Sequence, residues 1–377
     1  MNGRERFIGV MEFQKVDKIP NYEVAAWAQT VARWAQEGLP AHEVSWDWFT
    51  GCPTFDFDPR EYIPVQYHMM PGFPYEVLER TERYEIARSY NGIVTKALLE
   101  GSVGGMRASM DQYLSYPVET PEDWKEMKKR YDPNLYMRYP LYWDQFNLEA
   151  WKRREHPLVL GRNGATTGYY WRMREWMGTE NLSYAWYDYP SMLHDMCEFI
   201  TDFTIAVSEP ILQKITPDYV FINEDMAMKS GPLLSPKQYT EFIYPEMKRL
   251  VDYFKGKGIP YVIVDTDGNS EPLMPMLFDA GVDGLFPIER ASDDQDPYAL
   301  RKKYGKKLRI FGVVDKRELA KDYKAIDEHM RSLIPLVEEG GVFPGVDHAV
   351  PPDVSLDNFK HYMEKKEHLL RYEFEKI

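Results

Sequence analysis

The chain has 377 residues, 44% of them hydrophobic, and a formal net charge of −14 from 60 acidic and 46 basic residues. A chain of this length can bury a large core, in one domain or in two. The negative charge argues against nucleic acid as a partner, because such binding depends on Lys and Arg contacts to phosphate. No run approaches the roughly 18 apolar residues of a membrane span. The two cysteines follow no disulfide or metal-ligand pattern, and no apolar segment follows the N-terminal charges. We therefore expect a cytoplasmic protein.

The N-terminal part of the chain has an irregular pattern. Residues 4–13 are amphipathic and predict a helix, and residues 19–23 predict a first strand. Residues 52–156 are rich in Pro, Tyr and Met. Within them, two alternating stretches flank Asn91-Gly92, a strong turn signal that predicts an antiparallel hairpin. A further strand of the main sheet is expected before Pro157, and the Tyr- and Trp-rich residues 123–151 are expected to cap the active-site mouth.

From Pro157 onward a strand–helix rhythm repeats. Short apolar, β-branched runs, each followed by an acidic or polar residue, predict strands buried on both faces at residues 158–160, 219–222, 261–264, 284–288, 310–314 and 342–343. The helix-like stretches between them are residues 235–256, 271–280, 297–304 and 324–339. Glycines follow several of these stretches, as they commonly do at helix ends.

These βα units predict a single-domain α/β protein, a (β/α)8 TIM barrel over residues 1–377. A barrel is favoured over an open sheet because no glycine-rich phosphate loop follows an early strand. Polar residues also stand at the ends of most strands, where barrels assemble their catalytic groups. The hairpin and capping segment of residues 52–156 are expected as an insertion in the N-terminal half of the barrel.

The strongest candidate cluster is Asp265, Asp267 and His348, at two predicted strand ends. Residues i and i+2 of a strand point the same way, so Asp265 and Asp267 can converge on one point in the mouth. A carboxylate pair with an imidazole can bind a divalent cation or carry out acid–base chemistry. The alternative is that a strand-end Asp caps the following helix, a role for which Asp267 is better placed.

Two further strands end in acidic residues. Glu224 and Asp225 are adjacent and point in opposite directions, so one of them is expected to face the mouth, and we favour Glu224. A salt bridge to Lys229 or a helix-dipole contact is the alternative. Glu289 closes another strand and is a candidate substrate-binding residue.

Aromatic and polar residues near the predicted mouth suggest a binding pocket. The candidate substrate-binding residues are Asn163, Tyr169, Tyr170, Trp171 and His68. Such side chains can form a pocket for a flat apolar substrate or a docking surface for a large cofactor. The alternative is that the aromatic residues pack beneath loops.

Several motifs together resemble the uroporphyrinogen decarboxylase superfamily, which also contains the methyltransferases of cobalamin-dependent methyl metabolism. They lie at residues 4–7, 16–20, 175–181, 187–190, 231–236, 280–284 and 348–353. The resemblance covers essentially the whole chain and implies a (β/α)8 barrel.

Two departures narrow the resemblance. The decarboxylases bind tetrapyrrole carboxylates with an arginine-rich motif after the first strand, where this chain reads Ala-Ala-Trp-Ala-Gln at residues 25–29. The family's thiol methyltransferases bind zinc with His-x-Cys and a distant Cys. Asp265-Thr266-Asp267 and His348 stand at those positions here.

The resemblance then implies the demethylating branch, an O-demethylase type of methyltransferase. Such an enzyme moves a methyl group from a methoxylated aromatic, or a similar small donor, to the Co(I) of a corrinoid. The chain lacks a cobalamin-binding signature, so the corrinoid (cobalamin) is expected on a separate partner protein. Glu224, Asp265, Asp267 and His348 could hold a divalent metal, zinc before any other, or act without one. Decarboxylation of a small carboxylic acid and non-catalytic ligand binding remain alternatives, and the protein could form a homodimer.

Overall fold

Thirteen strands are defined in the computed structural model, which describes residues 1–40, 47–100, 110–161, 168–293 and 295–377. In chain order they are β1 Glu61–Ile63, β2 Glu76–Arg80, β3 Tyr84–Arg88, β4 Val94–Leu98, β5 Gln112–Ser115, β6 Leu158–Leu160, β7 Tyr219–Asn223, β8 Ala227–Met228, β9 Gly231–Pro232, β10 Tyr261–Asp265, β11 Gly284–Phe286, β12 Arg309–Phe311 and β13 Val342–Phe343.

The α-helices are α1 Gly3–Met11, α2 Ala28–Gln36, α3 Pro121–Lys128, α4 Trp143–Phe146, α5 Leu148–Lys152, α6 Tyr169–Met177, α7 Thr179–Asp188, α8 Pro190–Leu212, α9 Pro236–Gln238, α10 Tyr244–Gly256, α11 Met274–Ala280, α12 Pro297–Tyr304, α13 Lys316–Leu319, α14 Tyr323–Ser332, α15 Ile334–Glu339 and α16 Leu356–Leu370. A π-helical turn, Tyr239–Ile243, joins α9 to α10. Within the described ranges, no helix has the length and apolar character needed to cross a membrane.

A parallel sheet of seven strands forms the centre of the fold, in the order β1-β6-β7-β10-β11-β12-β13. All six strands predicted after Pro157 are confirmed, and β1 is the additional strand expected before it. Their side chains are almost wholly buried, since helices cover the sheet. The chain is therefore an α/β protein with a parallel sheet, built from βα units as predicted.

The predicted first strand at residues 19–23 is wrong. Pro20 has no N–H group, and the carbonyl oxygens of Tyr22 and Glu23 accept from the side chains of Lys366 and Arg60, at 2.9 and 3.2 Å. These backbone groups are therefore bonded to side chains and not to a strand ladder. Among the described residues, the strand-like pairing nearest to this segment is at isolated bridges of residues 25 and 26, just beyond it.

The segment nevertheless lies between residues adjoining the two edge strands of the sheet. Arg60, which donates to Glu23, directly precedes β1. The N–H group of Val346, just after β13, donates to the Glu23 carboxylate at 2.9 Å. Lys366 of α16 pairs with the same carboxylate at 2.6 Å, and both side chains are buried. This buried ion pair fixes the segment against the C-terminal helix.

The N-terminal helix α1 closes the end of the sheet where the strands begin. Phe7 of α1, the helix predicted from residues 4–13, lies 5.1 Å from the ring of Tyr219 and 6.2 Å from that of Tyr261. These tyrosines are the first residues of β7 and β10. The carboxyl ends of the strands are therefore the end at which a site can open.

The predicted hairpin is confirmed and belongs to a larger unit. Strands β3 and β4 pair antiparallel, with Arg88 opposite Val94, in a four-stranded sheet of order β2-β3-β4-β5. The turn has Tyr90 and Asn91 at its centre, and Gly92 follows with φ +86°. A left-handed residue after such a turn is the usual three-residue hairpin loop.

The segment of residues 123–151 lies along α8. Lys128 pairs with Asp195 at 2.7 Å, and the hydroxyl of Tyr139 donates to the carbonyl of Val207 at 2.8 Å. Further along, Asp144 pairs with Lys214, just past the end of α8. These contacts run down the flank of the molecule, so the expectation of a cap over the mouth does not match the position of this segment. The single-domain boundaries 1–377 and 52–156 stay predictions.

Candidate functional site

A cleft of about 310 Å³ opens at the carboxyl ends of β7, β10 and β11. In register, Asp265 at the end of β10 lies between Asn223 of β7 and Phe286 of β11. The cleft is lined by these three residues together with Val24, Trp171, Asp225, Asp267, Pro287 and His348. Three of the four predicted catalytic residues thus come together in one concave site.

Asp265 is the partly buried acid at the end of β10 in this cleft. Burial, together with the charges of Asp267 and Asp225, raises the pKa of its carboxyl group well above the ordinary range. A carboxyl group with such a pKa keeps its proton where an ordinary aspartate is ionised. Asp265 can therefore donate a proton to a group bound in the cleft.

His348 and Asp267 form a pair at the rim. The Nε2 atom of His348 lies 3.4 Å from Oδ2 of Asp267, and both side chains are about one-third exposed. Burial lowers the pKa of His348, but the hydrogen bond and charge of Asp267 outweigh it and raise the pKa. The ring of Trp27 stacks on the imidazole at 6.3 Å and 25°. The pair favours a protonated imidazole next to Asp265.

Glu224 lies outside the cleft, at the start of α6. Its carboxylate accepts from the N–H groups of Tyr169 and Tyr170, at 3.0 and 2.8 Å, and is fully buried. A Cβ added to Gly168 would stand 2.3 Å from the carboxylate carbon, so only glycine permits this approach. Burial raises the pKa of Glu224 to about 7, and the backbone donors oppose that rise. Glu224 therefore caps a helix.

Asp225 lines the cleft in its place. The two neighbours point to opposite sides, as expected, but with the sides reversed. Asp225 has φ +39°, a conformation that is uncommon outside glycine, and Oδ2 lies 2.5 Å from Nη2 of Arg174. Nothing in the residue pattern distinguished Asp225 from Glu224. The α6 N-terminus that attracts Glu224 is formed by residues about 55 positions away in sequence.

Glu289, a candidate substrate-binding residue, does not line the cleft but contacts residues next to it. One carboxylate oxygen pairs with Lys316 at 2.8 Å, and the other accepts from the N–H group of Gly268 at 3.1 Å. Asp347, directly before His348, is wholly buried and accepts from the N–H groups of Arg290 and Lys316. Burial raises its pKa to about 6. Both acids hold the loops that carry Asp267 and His348.

The candidate substrate-binding residues lie in different parts of the structure, some in the cleft and some outside it. Trp171 lines the cleft, whereas Tyr169 is buried with its hydroxyl 2.8 Å from that of Thr201. Tyr170 is 1% exposed, and burial raises its pKa to about 12. His68 is absent from the lining of the cleft, and its pKa is lowered by burial and by the charge of Arg172. Asn163 lies outside the described residues.

The four residues predicted to hold a metal do not form one cluster. Both carboxylate oxygens of Glu224 accept backbone N–H groups at the start of α6, whereas Asp265, Asp267 and His348 line the cleft. Within the described ranges, no group of three His, Cys, Asp or Glu side chains is arranged to hold a metal ion.

A second cleft of about 580 Å³ adjoins the first and shares Trp171 and Asp225 with it. Its other wall comes from the four-stranded antiparallel sheet, through residues such as Thr95 and Tyr113. The prediction of an inserted hairpin gave no sign that this sheet would line a cleft.

Comparisons with known proteins bear on both fold and family. Residues 80–368 match the family model described as uroporphyrinogen decarboxylase (URO-D). The fold is similar to that of a solved methyltransferase from Methanosarcina mazei, with a TM-score of 0.57 and 15% sequence identity over 100% of this chain and 99% of that chain. No curated protein sequence matches the chain.

Proposed function

The chain belongs to the uroporphyrinogen decarboxylase family, and from that premise we propose that it is a methyltransferase of the O-demethylase type. Its reaction moves a methyl group from a methoxylated aromatic, or a similar small donor, to the Co(I) of a corrinoid held by a separate protein. The similarity in fold to a methyltransferase agrees with this proposal. In the same proposal, the fold is a (β/α)8 barrel, of which seven paired parallel strands lie in the described residues.

The observation that carries the proposal is the position of Asp265 at the end of β10, where it lines the cleft and where burial and the charges of Asp267 and Asp225 raise the pKa of its carboxyl group. An aryl methyl ether is a poor electrophile, because its leaving group is a phenolate. A proton donor at the ether oxygen makes that oxygen leave as a neutral phenol. Asp265 is a carboxyl group of the cleft whose raised pKa suits this task.

The methyl group moves without its bonding electrons. The C–O bond breaks, its electron pair stays on the oxygen, and that oxygen takes the proton of Asp265. The donor leaves as a phenol, and Asp265 regains a proton from solvent. His348, kept protonated by Asp267, places a positive charge near the oxygen while negative charge develops there.

The shape of the cleft suits a small, flat donor. About 310 Å³ lies at the lower end of the range that proteins use for small ligands. Trp171 and Phe286 supply aromatic surface, and Asp265 and His348 line the same cleft. The indole, which lines both clefts, and the phenyl ring contact the methoxy end of the donor and limit the access of water to Asp265.

The corrinoid, when bound, supplies the Co(I) nucleophile. The rim fits a large flat group, because Trp27 and Met228 are 38% and 61% exposed there. The cleft itself is too small to enclose a macrocycle together with a donor. These two residues would therefore contact a corrinoid presented by a partner protein over the mouth.

The test is a spectroscopic assay with the purified chain, Co(I) cobalamin or a reduced corrinoid protein, and a panel of methoxyarenes. We expect the Co(I) absorption to decay only when chain, corrinoid and donor are all present. No decay with any donor would contradict the proposal. Release of CO2 from a carboxylic acid without corrinoid would instead favour a decarboxylase.

A further inference from the structure

Aromatic and charged side chains line the second cleft. Tyr113 and Tyr116 of the antiparallel-sheet side stack on each other at 5.9 Å and 10°. The facing wall is α6, through Trp171 and Arg174. Aromatic groups on both walls of a cleft favour a flat ligand between them.

The sheet wall is fixed against the helices by a close contact. Gly178, between α6 and α7, has φ +77°, and a Cβ there would stand 2.2 Å from Cε2 of Tyr116. The tyrosine ring therefore lies directly on the glycine. This contact sets the distance between the two walls.

Among the described residues that line this cleft, Arg174 is the only Lys or Arg side chain. Its guanidinium lies over the Trp171 ring at 4.8 Å, and Nη2 donates to Asp225 at 2.5 Å. Within the described part of the chain, these contacts engage one of its three nitrogens in hydrogen bonding. The guanidinium group is thus oriented by the Trp171 ring and by the hydrogen bond to Asp225, while its remaining N–H donors are available to a ligand.

We propose that the second cleft binds the ring of the methyl donor, and that Arg174 selects donors whose ring carries a carboxylate. The inference rests on the proposed function for the identity of the donor. A planar guanidinium fork matches a carboxylate in shape and charge, so two parallel hydrogen bonds form. The shared residues Trp171 and Asp225 place the methoxy end of such a donor toward Asp265 in the first cleft.

Three carboxylates, Asp111, Glu175 and Asp225, line the cleft together with Arg174. Glu175, which also lines the cleft, is neutralised by buried Arg172 at 2.6 Å. Asp225 offsets the charge of Arg174 but is bound to a single nitrogen. A cationic donor would meet the guanidinium directly, and a neutral donor would lack the charge-assisted bonds.

The experiment measures binding to the purified chain by calorimetry, without corrinoid. The probes are 4-methoxybenzoate and its neutral isostere 4-methoxybenzamide. The wild-type chain should bind the acid more tightly by roughly 10- to 100-fold, the range expected for hydrogen bonds to a charged group. Equal affinity for the two probes would overturn the inference, and this comparison needs no variant.

Two variants then locate the effect. Arg174→Gln should weaken binding of the acid by roughly 10- to 100-fold and change binding of the amide little. Arg174→Lys, which keeps the charge but loses the fork, should retain part of the preference. The matched control is Arg249→Gln, which removes an arginine paired with Asp202 at 2.7 Å on the outside of α10. Equal weakening of both probes in Arg174→Gln would mean that the residue only holds Asp225 in place, and would overturn the inference.

The two proposals fail separately. Carboxylate-dependent binding without any loss of Co(I) absorption would contradict the methyltransferase proposal and leave the binding site standing. Methyl transfer from neutral methoxyarenes, with no preference for the acid, would contradict the carboxylate site at Arg174 and leave the methyltransferase proposal standing.

Discussion

The Nε2 atom of His348 lies 3.4 Å from Oδ2 of Asp267, although the two residues are 81 positions apart in sequence. The loop after β10 and the segment after β13 bring them together, and Trp27 covers the imidazole. The carboxylate of one strand end thus lies beside the ionisable imidazole of another. The protonation state of the pair depends on pH.

Replacing Asp267 with Asn should lower the pKa of His348, because the carboxylate is what raises it against burial. The raised pKa means that the pair's contribution to stability is complete below the pKa of an unfolded histidine. It is lost as the pH rises through the folded value. NMR titration of the His348 ring protons measures the change. As a control, Asp327→Asn, which removes the partner of His361 at 2.8 Å, should leave the His348 titration unaltered.

Replacing Asp265 with Asn should slow methyl transfer by roughly 10²- to 10⁴-fold, the usual contribution of a positioned acid. The amide matches the protonated acid in size but donates no proton to a leaving oxygen, so folding should be retained. The measurement is the single-turnover loss of Co(I) absorption. Asp252→Asn, on the exposed face of α10, is the control and should have wild-type activity. An Asp265→Asn variant as active as the wild type would contradict the assigned role.

The same acid predicts how activity depends on pH. Burial and the charges of Asp267 and Asp225 raise the pKa of Asp265, and the proposed methyl transfer requires that group in its protonated form. Activity should fall as the pH rises through the folded pKa. In the Asp267→Asn variant one of the neighbouring charges is gone, so the fall should begin at lower pH. An unshifted profile would show that another group is the acid.

Much of the fold could be predicted because its signals are local. A buried parallel strand reads as a short apolar run, and six such runs became β6, β7, β10, β11, β12 and β13. The segment at residues 19–23 carries a similar signal but no ladder. Its carbonyl groups are taken by Lys366 and Arg60, side chains from distant parts of the chain. Competition of that kind is tertiary and leaves no trace in the local pattern.

The site was predictable to the extent that it follows strand geometry. Asp265 and Asp267 point into one cleft because they are two residues apart at a strand end. The choice between Glu224 and Asp225 depends on where the start of α6 lies, which the strand pattern does not contain. Arg174 was not singled out because it lies within a helix, where an arginine is usually a solvated surface residue.

Replacing Gly168 with Ala should destabilise the protein by about 1–3 kcal/mol, the usual cost of overpacking a buried site. Its backbone has φ −77°, which alanine adopts freely, so the penalty is steric. The new Cβ would stand 2.3 Å from the carboxylate carbon of Glu224 and displace the cap of α6. Urea denaturation measures the loss.

The matched control is Gly256→Ala at the end of α10, where an added Cβ meets nothing within 4 Å. That change should be neutral or stabilise the helix by up to about 1 kcal/mol. Since α6 also carries Trp171 and Arg174, Gly168→Ala should raise the KM for the donor as well. Equal stability of the two variants would show that the Gly168–Glu224 contact relaxes freely.

Replacing Glu224 with Gln should remove part of the pH dependence of stability. Burial raises the pKa of Glu224 from 4.5 to about 7, so between these values the folded state binds more protons than the unfolded state. The free energy of unfolding therefore falls as the pH rises through that window, by on the order of 2–3 kcal/mol for this group. Glutamine does not titrate, so the free energy of unfolding of the variant, measured by urea denaturation, should fall less steeply between about pH 4.5 and about pH 8.

Asp347, whose pKa burial raises to about 6, contributes a fall of the same sign in both proteins. Glu241→Gln, on an exposed surface, should keep the wild-type slope. A Glu224→Gln variant with that slope as well would mean that the cap is ionised throughout, held so by the N–H groups of α6.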